Sequence, residues 1–142
     1  MAVTLYLVDK SAFEQQRHSN SADDTLRALA NENALATCEI VALELLYSAR
    51  GVADYEQRWA DLQVLPWLHV TRAVMTRALT TQRLLAAVGQ HRRPIPDLVI
   101  AAAAAEYDAT VLHYDRDFDL IAAVTGQPTR WIVPPGTGHG QR

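Results

Sequence analysis

Val3-Thr-Leu-Tyr-Leu-Val-Asp-Lys-Ser-Ala12 is the stretch on which the fold turns. Residues 3–8 form an apolar-rich run containing Leu5, Tyr6 and Leu7, and Asp9 ends it. A run of that length with β-branched residues fits a strand covered on both faces, as in a parallel sheet. An acid directly after it lies at the edge where open α/β sheets gather their ligands.

Outward from this strand, helices and strands alternate. Residues 11–17 read as a short helix, and Ser21-Ala-Asp-Asp24 as a capping-box variant opening a helix with Leu26, Leu29 and Ala30 on one face. Residues 35–37 suit a short strand, although Thr37 could instead cap the next helix. That helix carries stripes through Ile40, Leu43, Tyr47 and Val41, Leu45, Ser48, and ends near Arg50-Gly51. A further helix is expected over 53–62 with Tyr55, Trp59 and Leu62 inward, then a weak strand over 67–70. A long helix spans about 72–88, and a polar loop over 89–96 holds His91, Arg92 and Arg93. Pro94 and Pro96 stiffen the entry to an Ala-rich helix from Asp97. Residues 110–114 read as a strand, 118–124 as a short helix and 130–133 as a last strand. The pattern is that of a mainly parallel sheet of four or five strands with helices on both faces. A single domain over 1–133 is expected, with 134–142, glycine-rich and polar, as a disordered tail.

Bulk properties narrow the classes. At 142 residues, about half of them apolar, the chain can bury one core without staples. The longest apolar-rich stretch, 97–109, begins with a carboxylate and contains Glu106, so no membrane span is expected. No secretory signal is legible, and Cys38 is alone, so a reducing cytoplasm is the expected compartment. A net charge of −3 argues against a broad basic footprint. A metal cluster can still reverse the sign locally.

Acids mark the expected ligand edge. Asp9 and Asp115 each follow a strand, and Asp97 opens a helix there. Glu44 sits mid-helix between Leu43, Leu45 and Leu46. Singly, each has a plainer reading. Asp9 and Asp97 suit helix N-caps, Asp115 and Asp117 could cap the helix at Phe118, and Glu44 could pair with a base or reach the surface. Jointly they are harder to dismiss, because two carboxylates about 5 Å apart repel by roughly 3 kcal/mol at an effective dielectric near 20. Four converging acids require a divalent cation or shared protons, and oxygen-only ligands select a hard ion, Mg²⁺ or Mn²⁺. Glu39, Glu106 and Asp119 keep the plainer reading. Asp115, Asp117 and Asp119 imitate a calcium loop, but its sixth and twelfth positions are Leu120 and Gly126. Walker, GxGxxG, GxSxG and zinc spacings are absent; the five histidines (18, 69, 91, 113, 139) form no cluster, and His113, inside a strand, reads as structural.

The segments Tyr6-Leu-Val-Asp-Lys-Ser-Ala12, Ile40-Val-Ala-Leu-Glu-Leu-Leu-Tyr47, Ile95-Pro-Asp-Leu-Val-Ile-Ala-Ala-Ala-Ala104 and Val111-Leu-His-Tyr-Asp-Arg-Asp-Phe118 resemble the successive blocks of PIN domains, most closely VapC-type toxins of bacterial toxin–antitoxin pairs. The likeness runs in order from residue 5 to about 133. It implies a PIN-like three-layer α/β fold and a Mg²⁺-dependent endoribonuclease, with Mn²⁺ able to substitute, inhibited by a small VapB-type antitoxin. By the same resemblance Asp9, Glu44, Asp97 and Asp115 are the catalytic acids. Asp9, Asp97 and Asp115 are the principal metal ligands, with Glu44 and Asp117 as further candidates, and Ser11 supports the site. Two positions depart from the pattern: Lys10 stands where a small hydroxyl residue is usual, and Tyr114 where Thr or Asn is common. Both bear on pocket shape and substrate choice.

The implied reaction is hydrolysis of RNA phosphodiesters leaving a 5′-phosphate. Arg50, Arg92, Arg93 and Arg116 are candidate phosphate contacts, with solvated surface charge as their plainer reading. The alternative class is a catalytically silent PIN-like module that binds RNA or protein; loss of a principal acid would favour it, and none is lost. A metal-dependent phosphatase would show Asp-x-Asp after its first strand, where this chain has Asp9-Lys-Ser11. A homodimer is expected, using aromatic material at Phe13, Tyr47, Tyr55, Trp59 and Trp67. A separate groove should accept the antitoxin.

Overall fold

Alternation of side chains along three short strands builds the two faces of the sheet. In a computed structural model describing residues 4–137, Tyr6–Val8 (β1) pairs in parallel with Leu35–Ala36 (β2) on one side and Thr110–His113 (β3) on the other. Thr129–Trp131 (β4) continues beyond β3, giving the order β2-β1-β3-β4, parallel throughout. Leu7 and Val111 are register partners and point into one core; Val8 and Leu112 are the next pair and point into the other. This is the period of two that makes a doubly covered strand read as a continuous apolar run.

Lys10–Gln16 (α1) and Asn20–Asn31 (α2) cover the Val8 face with Ala12, Leu26 and Leu29. The Leu7 face is covered by Arg72–Ala87 (α5), Ile95–Glu106 (α6) and Asp117–Thr125 (α7), with Val41 from Glu39–Tyr47 (α3). Every residue of α6 from Asp97 to Ala104 is buried. Its alanines let the helix lie close to both the sheet and α5, which a larger side chain would prevent. Val52–Gln63 (α4) packs on α3 through Leu62. The result is the expected three-layer α/β architecture, with four strands. No helix among the described residues is long and apolar enough to cross a membrane.

Several expectations need correction. The cap of α2 is Ser19, whose side chain accepts from Ala22 N at 3.1 Å; Ser21 lies exposed inside the helix. α3 ends at Tyr47, short of Arg50-Gly51, and its Leu43 and Tyr47 face outward at 64% and 91% exposure. In α4 only Leu62 is buried, while Tyr55 and Trp59 remain half exposed. The expected strand at 67–70 reduces to one bridge between Thr37 and Trp67, because beyond Leu68 N, which bonds Thr37 O, the His69 carbonyl accepts from the Tyr107 hydroxyl and the Val70 amide donates to the Glu39 carboxylate. The Ala-rich helix begins at Ile95, so Asp97 is its third residue and Pro94 its cap. Pro134–Thr137, expected to be disordered, close a turn, and Gly136 N donates to the Tyr114 hydroxyl at 2.9 Å. Val3 of the expected first strand, and residues 138–142 with His139, lie outside the described residues.

Candidate active site

The ends of β1 and β3 lie side by side, so the residues leaving them meet. Asp9 caps α1: one carboxylate oxygen accepts from Ser11 N at 3.0 Å and from Ser11 Oγ at 2.5 Å. Ser11 Oγ in turn accepts from Tyr114 N at 2.8 Å, tying the exit of β3 to that of β1. Ser11 thus joins the exits of the two strands through its hydroxyl. The capping reading of Asp9 is seen directly, while its charge also acts on Asp97.

Asp115 is fixed from both directions. Its N–H donates to His113 Nδ1 at 3.1 Å, and its Oδ1 accepts from Asp117 N at 2.9 Å. His113 is fully buried between Phe118 and Trp131, ring centres 5.0 and 4.9 Å away, and burial pushes its pKa down to about 4. A neutral ring whose Nδ1 accepts is what orienting Asp115 demands. The reading of His113 as structural holds.

Asp97 enters from the first turn of α6, 7% exposed. It offers an oxygen to a group with Asp115 and Asp117 in which all three ligand atoms lie within 4.8 Å of one another. Asp9 and Glu44 stand outside that trio yet close enough to act on it. Burial first, then repulsion from Asp9, Asp115, Asp117 and Glu44, pushes the Asp97 carboxyl up to about 8. Burial likewise raises Asp9 and Asp115. Glu44, half-buried on α3, is raised by burial and by Asp9, with Lys10 pulling the other way. Its Oε1 is buried without a hydrogen-bond partner. Asp9, Glu44, Asp97 and Asp115 were expected to converge in one pocket; the close group is Asp97 and Asp115 with Asp117, while Asp9 and Glu44 lie outside it and act on Asp97 through their charge.

A set of oxygen donors only, one carboxyl driven toward protonation and one oxygen left unpartnered, fits a hard divalent cation. The same features fit a binding module poorly, since five acids that ligate nothing only destabilise the fold.

The PIN domain family model matches residues 6–124. This chain belongs to the PIN-domain family. Within that family it is 46% identical over 132 residues to ribonuclease VapC51 of Mycobacterium tuberculosis, covering 93% of this chain and 96% of that one. Ribonuclease VapC18 of the same organism is 43% identical over 136 residues, covering 94% and 98%. In fold, the PIN domain superimposes on a chain of Rickettsia felis VapBC2, solved bound to a promoter DNA fragment. The TM-score is 0.70 at 20% identity, covering 90% of this chain and 98% of that one.

The arginines of this PIN domain divide. Arg93 Nη1 donates to Asp117 Oδ1 at 2.7 Å and its side chain is only 23% exposed, so it pairs with the acid cluster. Sequence reasoning missed this pair: the two residues are 24 positions apart, and no local signal joins them. Arg50, Arg92 and Arg116 are exposed. The acids read plainly are indeed engaged elsewhere. Glu39 accepts from His69 Nδ1 at 2.7 Å and Val70 N at 2.9 Å, Glu106 pairs with Arg77, and Asp119 accepts from Trp131 Nε1 at 3.1 Å.

Proposed function

We propose that this chain is the toxin of a type II toxin–antitoxin pair, a Mg²⁺-dependent endoribonuclease that hydrolyses RNA phosphodiesters and acts in the cytoplasm. The observation that carries the reading is the convergence of Asp97, Asp115 and Asp117 at one sheet edge, under the field of Asp9 and Glu44. Kinship with VapC ribonucleases supports the activity and a VapB-type antitoxin as partner. Asp9, Asp97 and Asp115 would hold the ion, with Asp117 beside them and Mn²⁺ as an acceptable substitute. A divalent cation there supplies a lowered pKa for water and charge neutralisation at the phosphate.

The chain's own residues supply placement. Ser11 holds Asp9 to one rotamer, and His113 with the Asp117 amide does the same for Asp115. Arg93 limits the net negative charge that an approaching phosphate meets. Glu44, with an oxygen free to accept, orients the attacking water. An apolar groove of about 520 Å³, which Phe13, Leu35, Leu45, Leu62 and Leu65 help to line, is the place for an antitoxin segment. An arginine from that segment entering the acid site would satisfy the carboxylates.

The deciding experiment is sequencing of the 5′ ends of fragments made from total RNA with Mg²⁺ or with EDTA. Discrete 5′-phosphorylated ends that vanish in EDTA are expected. Cleavage that persists in EDTA, or none in Mg²⁺ or Mn²⁺, refutes the mechanism, and the latter returns the chain to the silent-module reading.

A further inference from the structure

A cleft of about 370 Å³ is lined by residues of α1, the end of α3 and α4. Lys10, Arg17, Arg50 and Arg58 line it, against the single carboxylate Glu14. In a chain of net charge −3 this reverses the overall balance. The acids themselves do not line it, but Lys10, which does, directly follows Asp9 in the chain. The four cations are not equivalent. Arg58 is a fixed wall: Nη1 donates to Leu45 O at 2.6 Å and Ser48 Oγ at 3.0 Å, and Nη2 pairs with Asp54 at 3.2 Å. Arg17 and Arg50 are exposed and form no salt bridge among the described residues. Lys10, half-buried, meets the exposed Glu14 at 3.4 Å, an i,i+4 pair of the weak kind that exchanges for a stronger partner.

A polyanion brought to five carboxylates needs cations for the phosphates that flank the one being cut. Arg93 pairs with Asp117, and this cleft gathers four further cations on one surface beginning at Lys10, the residue after Asp9. We propose that the cleft is the track for the ribose-phosphate backbone of single-stranded RNA on one side of the scissile phosphate, with Lys10 the contact nearest the cut and Arg17 and Arg50 the outer ones. The proposal rests on the ribonuclease reading. Phosphate contacts position a strand without reading bases, so the track serves affinity and register rather than sequence choice.

The test is binding of an uncleavable 2′-O-methyl oligoribonucleotide of about 12 nucleotides, within the usual range of single-strand sites. It is made with the full chain and with the variant carrying Lys10→Ser, Arg17→Gln and Arg50→Gln. The variant should bind about tenfold or more weakly at low salt, and the slope of log affinity against log salt should shrink by about 0.7 for each contact removed. Unchanged affinity and slope overturn the track. So does a variant that binds RNA normally but loses a VapB-type antitoxin, because the cleft then belongs to a protein partner. Cleavage assays on total RNA separate this from the parent reading. A parent that binds through the cleft and cuts nothing sinks the ribonuclease assignment and leaves the track, while a parent that cuts, with a variant equal to it in binding, sinks the track alone.

Discussion

Asp97 is pushed up by burial first and then by repulsion from four neighbouring acids, and its titration is the residue-scale handle on the site. With a pKa of about 8 against an ordinary 3.8, the metal-free folded chain keeps a proton that the unfolded chain has lost. Stability therefore falls as pH rises from about 4 to 8, by up to a few kcal/mol. His113 works in the opposite sense: at about 4 against 6.5, it makes stability fall as pH drops through that interval. Asp97→Asn removes the Asp97 contribution and leaves those of His113 and of the other raised acids, Asp9, Glu44 and Asp115. The metal-free variant should then unfold at a higher temperature than the parent at pH 8, with the gap closing toward pH 4, and it should cleave RNA at least 100-fold more slowly. Parent-like cleavage at saturating Mg²⁺ would leave Asp97 a structural first-turn acid. Glu44→Gln tests the orphaned oxygen: cleavage should drop by a similar factor while thermal stability holds or rises. The acids were legible because each of three sits at the end of a strand or start of a helix, where topology alone fixes the edge. Arg93–Asp117 was not, since only the tertiary fold brings a loop and a helix N-terminus together.

At the scale of elements, caps and packing give the sharpest tests. Ser19→Ala removes the cap of α2 and should destabilise the chain by about 1 kcal/mol in denaturant unfolding, while Ser21→Ala stays within a few tenths. The reverse ranking would restore Ser21 as the cap. Both serines precede the helical pattern by a plausible distance, and Asp24 three residues after Ser21 favours the wrong one; propensity cannot choose between them, whereas the buried Ala22 can. Ala103→Leu, at a fully buried position of α6, should cost about 1–3 kcal/mol through overpacking. The helix was legible from its alanines. The half exposure of Tyr55 and Trp59 was not, because periodicity shows that a helix has an apolar face without showing that anything covers it.

For the molecule as a whole, that uncovered face is the issue. Tyr47, Val52 and Tyr55 line one shallow apolar patch, and a lone chain leaves it in water. A two-fold dimer is expected in light scattering at micromolar concentration, and Tyr47→Arg should shift it toward monomer; a monomeric parent refutes the expectation. The layer order and the ligand edge were readable from the alternation of strands and helices, but the extent of each strand was not, because a two- or three-residue ladder is set by its neighbours. The Ser11 bridge has one more consequence. Tyr114 lies past the last residue of β3, and its amide is held by the Ser11 hydroxyl rather than by a strand. Its hydrogen–deuterium exchange is thus a native clock for the acid edge. Slow exchange, matching the global unfolding rate, would mean that the edge opens only when the whole sheet does, and Ser11→Ala should set that one amide ticking fast while its neighbours in β3 stay protected.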